Sequence, residues 1–279
     1  MRRASSGSTR AGVLAASLAA SVAACTAAPE ERAANPEPVL GADTAAYYAE
    51  RVMGALGGRE AWNRTRYLSY RWLVERDGAV VADREHSWDR YDGRYRVAFE
   101  QADAAHLTLF NLNEMRDVPE LGRVPSGRAW IGETELEGAA RDSALRRGYT
   151  VFVNDSYWAL MPFKWSDPGV HLDYEGTRTL SDGRPYHAVR LSFDQGLGVT
   201  EDVYWGFVDS DTGRMAAWQY HLGRSEEPGD VIWWTDWEPT GPIQFSMTRV
   251  RDGAGRFIYF EDVVAAETVP PGRFDPPGP

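Results

Sequence analysis

The side chains that could perform acid–base, nucleophilic or metal chemistry are scattered along this chain. No two of the five histidines have a His-x-His or His-x₃-His spacing, so a metal site would need three of them to converge from distant segments. The sequence contains no Gly-x-Ser-x-Gly nucleophile motif, no Gly-x-x-x-x-Gly-Lys phosphate loop and no Rossmann fingerprint. Schiff-base chemistry would rest on the only lysine, Lys164. We therefore predict a protein that is not an enzyme and that uses neither a metal nor a cofactor.

Carboxylates are numerous, but their arrangement does not indicate a catalytic pair. Asp209-Ser-Asp-Thr-Gly lacks the later ligands of a calcium loop and lies between two apolar segments, which favours a hairpin turn. Glu226-Glu227 and Glu261-Asp262 fall where turns or strand edges are expected. A glycan or lipid hydrolase remains open as a third interpretation, because only the separation in space decides whether two carboxylates can act together.

Aromatic residues are the strongest compositional anomaly. The chain has 11 Trp and 13 Tyr, whereas ordinary chains are dominated by Leu, Ala and Gly. Three interpretations stay open: a large packed core, a concave aromatic sheet face that holds an apolar ligand, and sugar stacking on exposed rings. The tryptophans on strand-like segments are Trp72, Trp88, Trp130, Trp205, Trp218, Trp233, Trp234 and Trp237.

The N-terminal segment is typical of an exported protein. Arg2, Arg3 and Arg10 precede a short run of small and apolar residues, as in a secretory signal peptide. The segment ends in Val22-Ala-Ala-Cys25, which resembles the lipobox of bacterial lipoproteins, and Cys25 is the only cysteine. This resemblance implies acylation (palmitate) of Cys25, and Thr26 after it permits sorting to the outer membrane. An ordinary signal peptide with a chance cysteine is the alternative.

Charge and composition indicate which partners are disfavoured and where the domain begins and ends. Removing residues 1–24 takes three of the 30 basic residues, which leaves 27 against 41 acidic ones and a net charge of −14. Such acidity disfavours nucleic acid as a partner. Residues 25–42, rich in Ala, Pro and Glu, predict a disordered tether, and residues 43–274 predict one domain followed by a frayed tail, 275–279. We expect a monomer on the periplasmic face of the outer membrane.

The elements that must position these residues are mostly strands. Tyr47, Tyr48, Val52, Ala55 and Leu56 recur at helical spacing after Asp43 or Thr44, and Gly57-Gly58 ends the helix. Alternating segments then predict an antiparallel meander with turns at Asp77-Gly78, Asp92-Gly93, Asp211–Gly213 and Asp252-Gly253. Residues 138–165 interrupt it, with a helix over 139–147. The apolar stretch 149–163 is expected to pack as helix and loop across the sheet and to serve as a mobile lid.

This order of elements resembles the LolA/LolB-like lipoprotein-localisation superfamily. Leu56-Gly-Gly-Arg-Glu-Ala-Trp-Asn-Arg-Thr-Arg-Tyr-Leu resembles its helix-to-first-strand segment. Asn154-Asp-Ser-Tyr-Trp-Ala-Leu-Met-Pro-Phe-Lys-Trp-Ser-Asp-Pro-Gly-Val resembles a signature of an uncharacterised bacterial lipoprotein branch. The resemblance implies an α+β fold, an unclosed antiparallel β-barrel (a curved sheet) with helices covering its concave face. It also implies an apolar cavity between the two.

We therefore expect a membrane-anchored, non-catalytic carrier or receptor whose partner is a lipid or an acylated lipoprotein. A structural or interaction lipoprotein with a filled core is the runner-up. The expected ligand-binding residues of the sheet are Tyr70, Trp72, Tyr95, Phe99, Val189, Leu191, Trp205, Phe207, Trp218 and Tyr220. The expected residues of the lid above them are Tyr157, Trp158, Leu160 and Met161. A shift of one residue in strand register would move a strand's set to the other face.

Overall fold

Three helices and one large sheet are formed by the residues that the structure, a computed structural model, describes: 44–194, 202–223 and 227–278. All of these belong to the unit Pro38–Pro279. The predicted signal peptide, Cys25 and the tether lie outside the described residues, so those predictions stay untested. The extent of the domain, 43–274, likewise stays a prediction.

The helices are α1 (Thr44–Ala55), α2 (Gly58–Arg64) and α3 (Gly138–Leu160), and a 3₁₀ turn, Met161–Lys164, follows α3. The predicted first helix is confirmed, since α1 buries Tyr48, Val52 and Met53 along one side. It stops at Gly57 and Gly58, whose φ angles of 111° and 88° lie in the left-handed region that glycine adopts without strain. Among the described residues, every helix is too short or too polar to cross a bilayer.

The strands of the first half precede α3. They are β1 (Tyr67–Arg76), β2 (Ala79–Asp89), β3 (Arg94–Gln101), β4 (Ala104–Val118), β5 (Gly122–Ile131) and β6 (Thr134–Glu135). The strands of the second half follow the 3₁₀ turn. They are β7 (Val170–Thr179), β8 (Pro185–Phe193), β9 (Val203–Val208), β10 (Met215–His221), β11 (Ile232–Thr240), β12 (Ile243–Arg251) and β13 (Gly255–Ala266).

Within the described residues these thirteen strands form one sheet, in the order β6-β5-β4-β3-β2-β1-β13-β12-β11-β10-β9-β8-β7. Each half is a meander, and the two meanders join where β1 pairs antiparallel with β13, for example Trp72 opposite Phe260. Strands β6 and β7 lie at opposite edges, so the sheet is not closed. The predicted fold class, an unclosed antiparallel sheet with helices on its concave face, is confirmed.

Helix α3 is longer than the sequence predicted. It runs without a break from Gly138 to Leu160, although only residues 139–147 were predicted as helix and residues 149–163 as helix and loop. Gly148, in its middle, lies against Thr108 and Phe110 of β4, where any Cβ would overlap the Thr108 hydroxyl. The helix thus comes close to the sheet at its centre and crosses to the second meander at its C-terminal end.

We call the face that packs against the helices the concave face, and the other face the convex face. The main core lies on the concave face and joins Val52 of α1, Leu160 of α3, Trp72 of β1 and Trp218 of β10. A second cluster under the first half of α3 joins Tyr95, Phe110 and Leu145. A third, separate cluster of Tyr186, Ala188, Phe207 and Ala217 covers the convex face.

Candidate ligand-binding face

Most of the sheet residues predicted to face the helices do so. Tyr70, Trp72, Val189, Leu191, Trp218 and Tyr220 belong to the main core or pack against it. Tyr95 and Phe99 belong to the cluster beneath α3. Successive side chains of a strand point to opposite faces. Once the register of one of these strands is predicted correctly, all of its predicted residues therefore lie on the predicted face.

The prediction for β9 was wrong. Trp205 and Phe207 lie in the convex cluster with Tyr186 and Ala217, away from the helices. Gly206 between them faces the concave side, where the Trp165 ring occupies the space that a Cβ would need. A glycine inside a strand often marks a close approach by another group, and here it admits the indole that follows the 3₁₀ turn.

The four residues that were predicted to form a lid lie over the second meander. Leu160 and Met161 are fully buried, while Tyr157 and Trp158 are half-buried. The Trp158 ring centroid is 4.7 Å from that of Trp218 and 5.5 Å from that of Phe257. Tyr157 contacts Tyr204 at 5.0 Å between centroids.

These contacts define a continuous group of rings that we call the aromatic mouth: Tyr157, Trp158, Phe193, Tyr204, Trp218, Tyr220 and Phe257. Of its members, Phe193, Tyr204 and Phe257 were not predicted. Tyr204 was missed because the odd-numbered residues of β9 were assigned to the concave face. Its neighbour Gly206 was the signal that could have corrected the register.

A buried arginine attaches the end of α3 to the sheet. Arg249 of β12 is fully buried, and its Nε and Nη2 both donate to the backbone carbonyl of Trp158, at 3.0 and 2.7 Å. Its guanidinium lies 3.3 Å from the centroid of the Trp234 ring. Burial lowers the pKa of Arg249 well below its ordinary value, but a guanidinium stays protonated in proteins. Arg249 Nη1 donates to the carbonyl and hydroxyl of Ser246 and to the Thr248 carbonyl. The charge is therefore held in the core by three backbone carbonyls, a hydroxyl and an aromatic ring.

A second polar attachment holds the middle of α3. Asp155 of α3 is fully buried, and Arg84 of β2 donates to its two oxygens at 2.6 and 2.9 Å. His86 Nε2 lies 3.0 Å from the same carboxylate, and His86 Nδ1 lies 2.8 Å from the Tyr95 hydroxyl. Burial pushes the pKa of Asp155 up, but the hydrogen bond with His86 and the Arg84 charge outweigh it, so this pKa lies below its usual range.

This Asp–His–Tyr line has the geometry of a proton relay, yet it is closed to solvent. Asp155 and His86 have no exposed surface, and Tyr95 is 1% exposed. Burial also raises the pKa of the Tyr95 hydroxyl well above its ordinary value, which opposes its use as a nucleophile at neutral pH. Within the described ranges, no three His, Cys, Asp or Glu side chains converge in a way that could hold a metal.

Two cavities of the described residues lie away from the aromatic mouth. One of about 510 Å³ is on the convex side, where Tyr67, Arg71 and Glu85 meet Pro270 and Arg273 of the C-terminal segment. Another of about 180 Å³ opens between β2, β3 and α3, beside Phe99 and Arg147. The concave aromatic layer itself is closed by the end of α3 and by Trp165.

The fold and this face together define a large curved antiparallel sheet whose concave side is aromatic and covered by a helix. Neither a protein family nor a curated protein matches the sequence. Among solved structures, the chain is distantly similar to the crystal structure of a DUF1329 family protein from Desulfovibrio piger. The TM-score is 0.45 at 12% identity, over 83% of this chain and 97% of that chain.

Proposed function

We propose that this protein is a membrane-anchored, non-catalytic periplasmic binding protein of the LolA/LolB-like type, which carries or receives a lipid or an acylated lipoprotein. The aromatic mouth is the observation that supports this proposal most directly. Seven aromatic side chains meet where the end of α3 lies over the second meander, and most of them are only half-buried. Partly exposed aromatic rings grouped on a concave surface are typical of a ligand site.

A sheet covered by a movable helix end can meet the free-energy requirements of carrying such a ligand. An acyl chain of about 16 carbons has a transfer free energy of roughly 12 kcal/mol at about 0.8 kcal/mol per methylene. A periplasmic carrier must offset much of this cost by burying the chain, and it must also release it. A face closed by a movable element provides both states.

The described structure corresponds, in this proposal, to the closed state. Opening requires the segment from Tyr157 to Trp165 to leave the sheet, which breaks the Arg249 hydrogen bonds to the Trp158 carbonyl. Because Arg249 is buried without a carboxylate partner, its desolvation cost offsets part of the cost of opening. A closed state held by such a residue can exchange with an open one.

The anchor in this proposal is the acylated Cys25, in the outer membrane and facing the periplasm. Two or more acyl chains hold a protein stably at a membrane where one does not. Labelling with radioactive palmitate followed by membrane fractionation tests the anchor. The wild-type chain should incorporate label and fractionate with membranes, and the Cys25→Ser variant should do neither. Equal labelling of the two forms would contradict the anchor.

Native mass spectrometry of the full chain after gentle extraction tests the carrier function. We expect a co-purified lipid or acylated peptide, and the Trp158→Ala variant should retain less of it. The Trp233→Ala variant is the matched control, because Trp233 lies in the convex cluster. No bound ligand in any preparation, together with no uptake of an added fatty acid, would refute the proposal.

A structural or interaction lipoprotein with a filled core is the second candidate. The observation that favours it is the packing of the concave layer, where Trp165, Trp218 and Met161 are each at most 2% exposed. This candidate predicts that no amphiphile binds and that the closed state is permanent. The same mass spectra separate the two functions.

A further inference from the structure

Three buried hydrogen-bond donors without an acceptor lie close together on the concave face, at the end of α3. They are Trp218 Nε1, Trp234 Nε1 and the Tyr157 hydroxyl, and all three atoms are buried. The Trp218 ring centroid lies 5.6 Å from that of Trp234 and 5.9 Å from that of Tyr157. The three donors therefore belong to one patch.

Some tryptophans of the described residues find acceptors, whereas Trp72 Nε1 and Trp88 Nε1 of the first meander do not. Trp205 Nε1 donates to Glu175 at 2.8 Å, and Trp237 Nε1 donates to the Trp234 carbonyl at 3.0 Å. A buried donor without a partner is costly, because it loses its hydrogen bonds to water and gains none in the protein. Three such donors side by side call for an explanation beyond packing.

Arg249 lies beside the same patch, since its guanidinium stacks on Trp234. No carboxylate pairs with it in the described part of the chain, and its Nε and Nη2 converge on the single oxygen of the Trp158 carbonyl. This pair of N–H groups is the one that binds a carboxylate or phosphate in a bidentate manner. When the end of α3 moves away, Arg249 loses that oxygen.

We infer that the ligand of this face is an anionic amphiphile, whose acidic head group replaces the Trp158 carbonyl on Arg249 and accepts from the neighbouring orphaned donors. This inference rests on the proposed carrier function and narrows it. It selects a lipid with a carboxylate or phosphate head over a neutral acylated lipoprotein. The head group then lies at Arg249, and the acyl chain lies along the aromatic mouth.

Displacement of a brominated fatty acid from the full chain tests the inference, with Cys25→Ser removing the anchor and tryptophan fluorescence as the readout. The competitors share one chain length: palmitate, cetyl phosphate, methyl palmitate and cetyl alcohol, at mildly alkaline pH where the carboxylate is ionised. We expect at least one of the two anions to bind about tenfold or more tighter than the neutral pair, the scale of one charge-assisted hydrogen bond. The better of the two anions identifies the head group as carboxylate or phosphate.

The Arg249→Met variant should bring the four affinities to within about twofold of each other. Arg256→Met is the matched control, because Arg256 is exposed and its guanidinium lies over Tyr259, outside the aromatic mouth, and it should keep the preference. If Arg249→Met fails to fold, Tyr157→Phe decides, since it keeps the ring, removes one orphaned donor and leaves every tryptophan reporter in place. That variant should lower the preference by about threefold.

Two outcomes would overturn the inference, and they differ in what else they overturn. Equal binding of anionic and neutral probes, unchanged in Arg249→Met or in Tyr157→Phe, would refute the head-group assignment and leave the carrier function standing. No binding of any probe would refute the carrier function and the inference with it.

Discussion

Gly206 shows how one residue determines which side chains of a strand face the helices. Its missing Cβ admits the Trp165 ring and leaves Trp205 and Phe207 on the convex face. The alternation of β9 was visible in the sequence, but its phase was not, because both sets of residues are apolar. The glycine was the only local clue to the phase.

We predict that Gly206→Ala displaces Trp165 and lowers the free energy of unfolding by about 1–3 kcal/mol, the usual cost of overpacking. Chemical denaturation followed by circular dichroism measures it. Gly54→Ala is the control, because a Cβ at Gly54 meets no atom within 4 Å, and it should not destabilise the protein. Equal stability of Gly206→Ala and wild type would show that Trp165 does not pack there.

Asp155 is the second residue whose chemistry yields a prediction. Its pKa is lower in the folded than in the unfolded chain, so the unfolded state binds more protons between the two values. This contribution to stability is fully present above the unfolded value of about 3.9 and is lost as the pH falls through the folded value.

The Asp155→Asn variant should therefore flatten the dependence of the melting temperature on pH below about pH 4. At neutral pH it should cost about 3–5 kcal/mol, because Arg84 and His86 lose a buried partner. Asp211→Asn, whose side chain is 84% exposed, should leave both quantities near wild type. An unchanged acid slope in Asp155→Asn would contradict this assignment.

At the scale of elements, strands with a polar pattern were the hardest to predict. Strand β7 alternates half-buried and exposed residues along its whole length, and β2 begins with exposed residues at Ala79, Val80 and Val81. Both were missed. Strands such as β1 and β8, with clear apolar alternation, were found from the sequence. The convergence of α3, β12 and β10 at Arg249 was not predictable, because the three segments are far apart in the chain.

Helix α3 is expected to open only at its C-terminal end. Its first half is fixed at Gly148, whose Cβ position lies 3.3 Å from the Thr108 Cβ, near the Cβ separation of about 3.5–4.5 Å in disulfides. A Thr108→Cys, Gly148→Cys pair in the Cys25→Ser background should form a disulfide and still bind a brominated fatty acid. The reduced form of the same protein is the control. Loss of binding on oxidation alone would show that the whole helix must move.

At the scale of the molecule, the two meanders have different contacts with α3. The first meander carries α3 and holds it through Arg84 and Asp155, and the second presents the rings that the end of α3 covers. The β1–β13 pairing joins them into one sheet. The proposed lid is therefore held by one meander, and the rings that it covers belong to the other. Such an arrangement allows the cover to move without breaking either meander.

The central claim is that a hydrophobic ligand binds to the concave face and not to the convex one. Quenching of tryptophan fluorescence by a brominated fatty acid, compared between Trp218→Phe and Trp205→Phe, tests it most directly. The account predicts that Trp218→Phe removes a large part of the quenching and that Trp205→Phe leaves it unchanged. Quenching that survives Trp218→Phe but disappears with Trp205→Phe, or no quenching at all, would contradict the account.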